Sequence, residues 1–247
     1  MDLKELESGV DPRTHWYYQS KKIPLFKYFE QCHALPDAPE RWTIVDFGSG
    51  SGFFAYELYE AYPDLIEKVL LVDIGYTQEE MDATAGQVIE KMHYIPEGLS
   101  NCMVVMMDVI EHIDDHVGVL EEIKSKVGER SWFFVTVPAF MSVWSSHDVY
   151  LGHYRRYTIP TLRGTLDTAG FDTQQVYYLY GALFPAAWAV RRLKRNKENM
   201  ENPESSDMAP VPGPVNWLLK TYNSLEMKLR KSNKLAGLTC AAEGRIR

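Results

Sequence analysis

Four short apolar runs recur between residues 43 and 137, and three of them end in an acid. Thr43-Ile44-Val45 stops at Asp46, Val69-Leu70-Leu71-Val72 at Asp73, and Met103-Val104-Val105-Met106-Met107 at Asp108. The fourth, Trp132-Phe133-Phe134-Val135-Thr136-Val137, stops at Pro138. Uninterrupted apolar runs of this length suit strands covered on both faces. The stretches after the first and third, Phe53–Tyr59 and about Val117–Val127, read as helices. Strand and helix alternating in this way predict a mostly parallel sheet with helices on its faces.

The flanks extend the pattern. An amphipathic helix is expected from about Thr14 to Gln31, covering one face of the site, with Lys21 and Lys22 on its solvated side rather than meeting an acidic substrate. A short third strand is expected around 91–98. A helix opens at Thr158 with Pro160 in its first turn and closes at Gly170. Phe171 to Tyr180 reads as a sixth strand, and Leu238 to Ile246 as a last strand returning antiparallel. Between them lie an apolar and aromatic stretch, Leu179–Val190, and a basic run, Arg191-Arg192-Leu193-Lys194-Arg195. The Pro-, Ser-, Asn- and Glu-rich segment 196–214 reads as a linker. Leu218, Leu219, Tyr222, Leu225 and Leu229 fall near helical spacing within Pro214–Lys231.

Candidate chemistry concentrates where the apolar runs end. Asp46-Phe47-Gly48-Ser49-Gly50-Ser51-Gly52 joins the first strand to its helix. Glycines let the backbone turn tightly and let a ligand approach without meeting a Cβ. The helix start adds unpaired N–H groups for the ligand's polar end. A dinucleotide fingerprint, G-x-G-x-x-G, would need glycine where Phe53 stands. The pattern here is acidic-x-G-x-G-x-G. Asp73, at the tip of the second strand, is placed to accept from both hydroxyls of a ribose.

This glycine turn, Asp73 and the Asp108-Val109-Ile110-Glu111-His112 run resemble the motifs of class I S-adenosylmethionine-dependent methyltransferases. His15-Trp16-Tyr17-Tyr18 and the segment Ser142–Thr158 resemble a bacterial branch of that family associated with lipid, saccharide and secondary-metabolite modification. The resemblance spans roughly residues 14–180 and returns at the last strand. It implies a doubly wound seven-stranded α/β sheet, six strands parallel and the last antiparallel. One domain, 1–247, would carry a helical cap, 1–41, and a helical insertion, 181–235. It implies S-adenosylmethionine as cofactor, with Asp46, Gly48, Ser49, Gly50 and Gly52 at its methionine end. Asp73 and Ile74 would serve the ribose, and Asp108 and Val109 would border the sulfonium. The acid that faces adenine after the family's third strand has no clear counterpart. Asp82 and Glu97 are candidates that spacing does not place.

Methyl transfer from a sulfonium needs alignment, exclusion of water and, for an alcohol acceptor, a base. His112, His147 and His153 are the candidate bases. Tyr17, Tyr154, Arg155 and Arg156 are the candidate acceptor contacts, a guanidinium being suited to a carboxylate or phosphate. The competing reading has His153 and Arg156 bonding Asp148 and Glu111 merely to shape the loop. His112 and His116 stand four apart, but no third ligand falls at a convincing position, and no metal is expected.

Bulk properties narrow the function further. A net charge of −8 over 247 residues argues against a nucleic-acid groove. Cys32, Cys102 and Cys240 are far apart and read as buried small hydrophobes in a reducing compartment. The acidic N-terminus lacks the apolar core of a signal peptide, so a cytoplasmic location is expected. The stretch 179–195 is too short to span a bilayer. Tyr180, Phe184 and Trp188 would share a helical face if Pro185 only kinks the helix. With the cations that follow, this segment is a lid, a dimer contact or a peripheral membrane element at the cytoplasmic face. The expected activity is methyl transfer to a small molecule or a saccharide- or lipid-linked intermediate. The alternative is a module that binds the cofactor without transferring methyl.

Overall fold

Each apolar run becomes a strand of one sheet. The computed structural model describes residues 9–128, 130–194 and 210–246. Its strands are β1 (Trp42–Phe47), β2 (Ile66–Val72), β3 (Ile89–Met92), β4 (Cys102–Met107), β5 (Ser131–Pro138), β6 (Phe171–Leu179) and β7 (Thr239–Ile246). They pair in the order β3-β2-β1-β4-β5-β7-β6. β7 runs antiparallel to both neighbours, and the other six strands are parallel. This is the doubly wound sheet that the resemblance implied.

The helices are α1 (Trp16–His33), α2 (Phe53–Ala61), α3 (Gln78–Thr84), α4 (His116–Lys126), α5 (Ser146–Leu151), α6 (Ile159–Thr168), α7 (Phe184–Lys194) and α8 (Gly213–Glu226). Alternate strand residues feed two separate cores. Ile44, Val69, Met103 and Phe134 pack with Tyr18, Leu25 and Phe29 of α1 and Phe54 and Leu58 of α2. Val45, Val104, Phe133 and Val135 pack with Leu120 and Ile123 of α4 and Leu162 and Leu166 of α6. Burial on both faces is why the strands read as continuous apolar runs. All three cysteines are buried and unpaired.

β1 and β4 are neighbours, but the chain leaves β1 toward β2 and β4 toward β5. A crevice opens above the carboxyl ends of strands at such a reversal. The glycine turn and Asp108 therefore face each other across it.

Three local expectations are corrected. The third strand lies earlier, at Ile89–Met92. Lys21 is not on a solvated face: it is buried and ion-paired with Asp108. Lys22 pairs with Glu57 at 2.5 Å. Tyr180 is not part of a helix with Phe184 and Trp188. It follows directly on β6 with φ 61°, is buried, and its hydroxyl bonds Ser20 Oγ at 3.1 Å. Pro185 lies in the first turn of α7, where its missing N–H costs nothing, so the helix starts there rather than kinking. Arg195 and most of the expected linker lie outside the described residues. Among those described, no helix is long and apolar enough to cross a membrane.

Candidate active site

Two cavities meet over the crevice. The first, about 370 Å³, lies beside the glycine turn, and Gly48, Gly50, Asp73, Ile74, His93, Asp108, Val109 and His112 are on its wall. The second, about 230 Å³, is enclosed by Tyr17, Glu111, His147, His153, Arg156 and Arg191 among others. Asp108 and His112 stand on the walls of both.

The glycine turn is shaped from behind. The Gly48 and Ser49 amides donate to the carbonyl of Val72 at 2.8 and 3.2 Å, fastening the turn to β2. Gly48 has φ 67°, and a Cβ there would lie 2.5 Å from a methyl of Val109. The turn thus closes onto the far wall as only glycine allows. Tyr76 bonds Ser49 Oγ and donates to the Gly50 carbonyl, both at 2.8 Å. Asp73 accepts from the Gly50 amide through one oxygen and the Gly75 amide through the other, both at 2.8 Å. A carboxylate oxygen has a second lone pair, so this carboxylate can still accept hydroxyls. The cavity volume lies in the range of small-ligand sites, and its glycine wall, carboxylate and apolar Val109 fit a nucleoside with a charged tail.

Not every residue expected at the cofactor reaches this wall. Asp46 is buried beneath the turn, and burial pushes its carboxyl up to about 7. Ser49 is turned onto Tyr76. Gly52, with φ 72°, caps α2, and a Cβ there would strike Leu71. Neither Asp82 nor Glu97 lines the cavity. His93, one residue beyond β3, does, and its Nε2 lies 2.7 Å from the carbonyl of Tyr76. Its signal was positional: the residue that follows the third strand.

Asp108 sits where the cavities join. Its φ is 57°, a left-handed conformation that aspartate tolerates better than most residues and that stores strain. Thr136 donates to one of its oxygens at 3.0 Å, and Lys21 pairs with the other. The Lys21 ammonium also donates to the Tyr17 hydroxyl at 2.8 Å. Sequence reading missed Lys21, because nothing local marks one lysine of an adjacent pair as the inward one.

In the second cavity the loop after β5 is folded around Asp148. This carboxylate is fully buried. Arg156 reaches it with Nε at 2.6 Å and a terminal nitrogen at 2.9 Å, and His153 Nδ1 lies 2.8 Å away. Burial alone would raise the Asp148 carboxyl, but His153 and Arg156 outweigh it and hold it well below the usual range. Arg156 is therefore on the wall but committed to Asp148. Tyr154 and Arg155, expected at the acceptor, are not on this wall. Tyr154 is exposed, and Arg155 donates to the carbonyls of Ile113 and Asp114 at 2.5 and 2.9 Å. Arg191, the first cation of the basic run, lines the pocket and donates to the Val143 carbonyl at 2.7 Å. Glu111 is fully buried.

Comparisons with known proteins bear on the family and the fold. A family model described as a methyltransferase domain matches residues 19–176. No curated protein matches the chain. Among solved structures, an S-adenosylmethionine-dependent methyltransferase from Archaeoglobus fulgidus is 16% identical. The match covers 98% of each chain with a TM-score of 0.54. One from Mesorhizobium loti is 11% identical over 95% of this chain and 100% of its own, with a TM-score of 0.54. At these identities the likeness is one of fold. The family match covers well over half the sequence, and the chain belongs to the methyltransferase domain family, with the class I S-adenosylmethionine-dependent fold.

Proposed function

We propose that the protein methylates a hydroxyl-bearing acceptor held in the second cavity while S-adenosylmethionine occupies the first. One observation carries this reading: Asp108 and His112 line both cavities, so a group in one meets a group in the other at that point. The cofactor supplies a methyl already made electrophilic by its sulfonium. The chain's own tasks are to align the acceptor, exclude water and take a proton. Gly48, Gly50, Asp73, Ile74, Asp108 and Val109 would hold the cofactor, with Asp46, Ser49 and Gly52 supporting the turn from beneath. Trp16 and Tyr17, on α1, would roof the acceptor.

His147 is the residue we assign as proton acceptor. It is half-buried on α5 at the pocket wall. Arg191 favours an acceptor that carries an anionic group. An apolar tail is favoured by α8. Asn216 of α8 accepts from the Trp16 amide on the pocket rim, and Val215, Leu218, Tyr222 and Leu225 of α8, with Leu229 in the turn just after it, are exposed at helical spacing. A lipid-linked saccharide intermediate met at a membrane surface combines the two.

The test is a screen with methyl-labelled cofactor against prenyl-linked and nucleotide-linked sugars. Label should pass to a lipid-linked acceptor, and S-adenosylhomocysteine should form only when an acceptor is present. Tight cofactor binding with no turnover on any class would support the binding-module reading instead.

A further inference from the structure

We propose that Glu111, His112 and His153 form a binding site for one divalent transition metal ion on the wall of the acceptor cavity. Each of the three offers a ligand atom, and these atoms all lie within 4.8 Å of one another. Residues 111 and 112 follow β4, whereas His153 follows α5, so the site exists only in the folded chain. The His112 and His153 rings meet edge-on with centroids 4.6 Å apart.

The independent observation is Glu111. Its side chain is fully buried, and neither carboxyl oxygen has a hydrogen-bond partner among the described residues. An unpartnered buried carboxyl is costly. A cation bound by the carboxylate would satisfy its oxygens and offset that cost.

His153 is prepared for the same task. Its Nδ1 is engaged with Asp148, which leaves Nε2 as the nitrogen able to ligate. Asp148 is fixed in turn by Arg156. A carboxylate behind a histidine is the arrangement that orients metal-binding imidazoles and raises their basicity. Two imidazoles and one carboxylate suit zinc, iron(II), manganese(II) or cobalt(II) better than magnesium or calcium, which prefer all-oxygen shells. Three protein ligands leave a position open toward the cavity. An acceptor oxygen in that position would lose its proton more readily to His147. This last role rests on the acceptor reading above; the metal site itself does not.

The site differs from the spacing that sequence alone suggested. His116, four residues from His112, has its Nδ1 2.6 Å from the Tyr157 hydroxyl. The third ligand comes from about forty residues further along the chain, where no local pattern announces it.

The test uses the full chain, stripped with chelator and titrated with cobalt(II) in the absence of cofactor and acceptor. Visible ligand-field bands should saturate at one ion per chain. Zinc should displace the cobalt, and magnesium should not. Glu111→Gln and His112→Gln, each checked for fold by circular dichroism, should abolish the bands. Asp148→Asn should weaken binding by about 10–100-fold. No saturable bands in the wild type, or equal binding by the folded Glu111→Gln and His112→Gln variants, would overturn the site. Intact cobalt binding by a protein that methylates nothing would sink the acceptor reading and leave the metal site standing.

Discussion

Lys21→Met tests the centre of the site most directly. The Lys21 side chain is 2% exposed, and that of its partner Asp108 is 25% exposed. Methionine keeps most of the stem's volume but removes the ammonium, its pairing with Asp108 and its bond to the Tyr17 hydroxyl. Breaking a buried ion pair by deleting one partner typically costs about 3–5 kcal/mol, mostly because a charge is stranded. Asp108 is the better solvated partner and keeps its bond from Thr136, so the lower end applies, about 3 kcal/mol. Asp108→Asn should cost more, because the stranded charge is then the deeper one. Lys21→Met combined with Asp108→Asn removes both charges and should recover a large part of either loss. Urea unfolding at neutral pH, with the m-value checked for constancy, measures all four proteins. A loss under about 1 kcal/mol in Lys21→Met, or a double variant no better than the singles, would refute the stranded-charge argument.

Further outcomes follow from the same geometry. Gly50 has φ 53°, so Gly50→Val should strain the turn by about 1–3 kcal/mol, leave a folded protein and abolish cofactor binding by calorimetry. Retained micromolar binding would move the cofactor elsewhere. Asp46, raised to about 7 by burial, holds a proton in the folded chain that the unfolded chain releases near pH 4. Its contribution is therefore fully present below pH 4 and lost as pH rises toward 7, by about 4 kcal/mol at most. Asp46→Asn cannot titrate, so its stability should fall less over that window; parallel profiles would contradict the assignment. Wild type should co-sediment with anionic vesicles at low salt, and Leu218→Ser with Leu225→Ser and Leu229→Ser should release it. Wild type remaining in the supernatant would leave α8 without a membrane role.

Much of the fold was legible in the sequence because strands buried on both faces must be apolar throughout. Thr43–Val45, Val69–Val72, Met103–Met107 and Trp132–Val137 could be read from composition alone, and the glycines of 48–52 marked the turn that the sheet reversal requires. The acids ending three of these runs were visible for the same reason: a strand end leaves the core. Tertiary structure decided what each polar residue faces. Nothing within a few residues of Lys21 distinguishes it from Lys22, yet one is buried against Asp108 and the other meets Glu57. Arg155 and Arg156 are adjacent, yet one ties down the backbone at Ile113 and the other grips Asp148. Tyr180 kept helical spacing with Phe184 and Trp188 but lies at a strand end, because Pro185 starts the next helix. The Glu111, His112 and His153 cluster joins two strand-following segments that only the sheet order brings together. Backbone periodicity is set by nearest neighbours and survives in the sequence. The partner of a buried charge is set by contacts between distant segments, and the sequence carries no local trace of it.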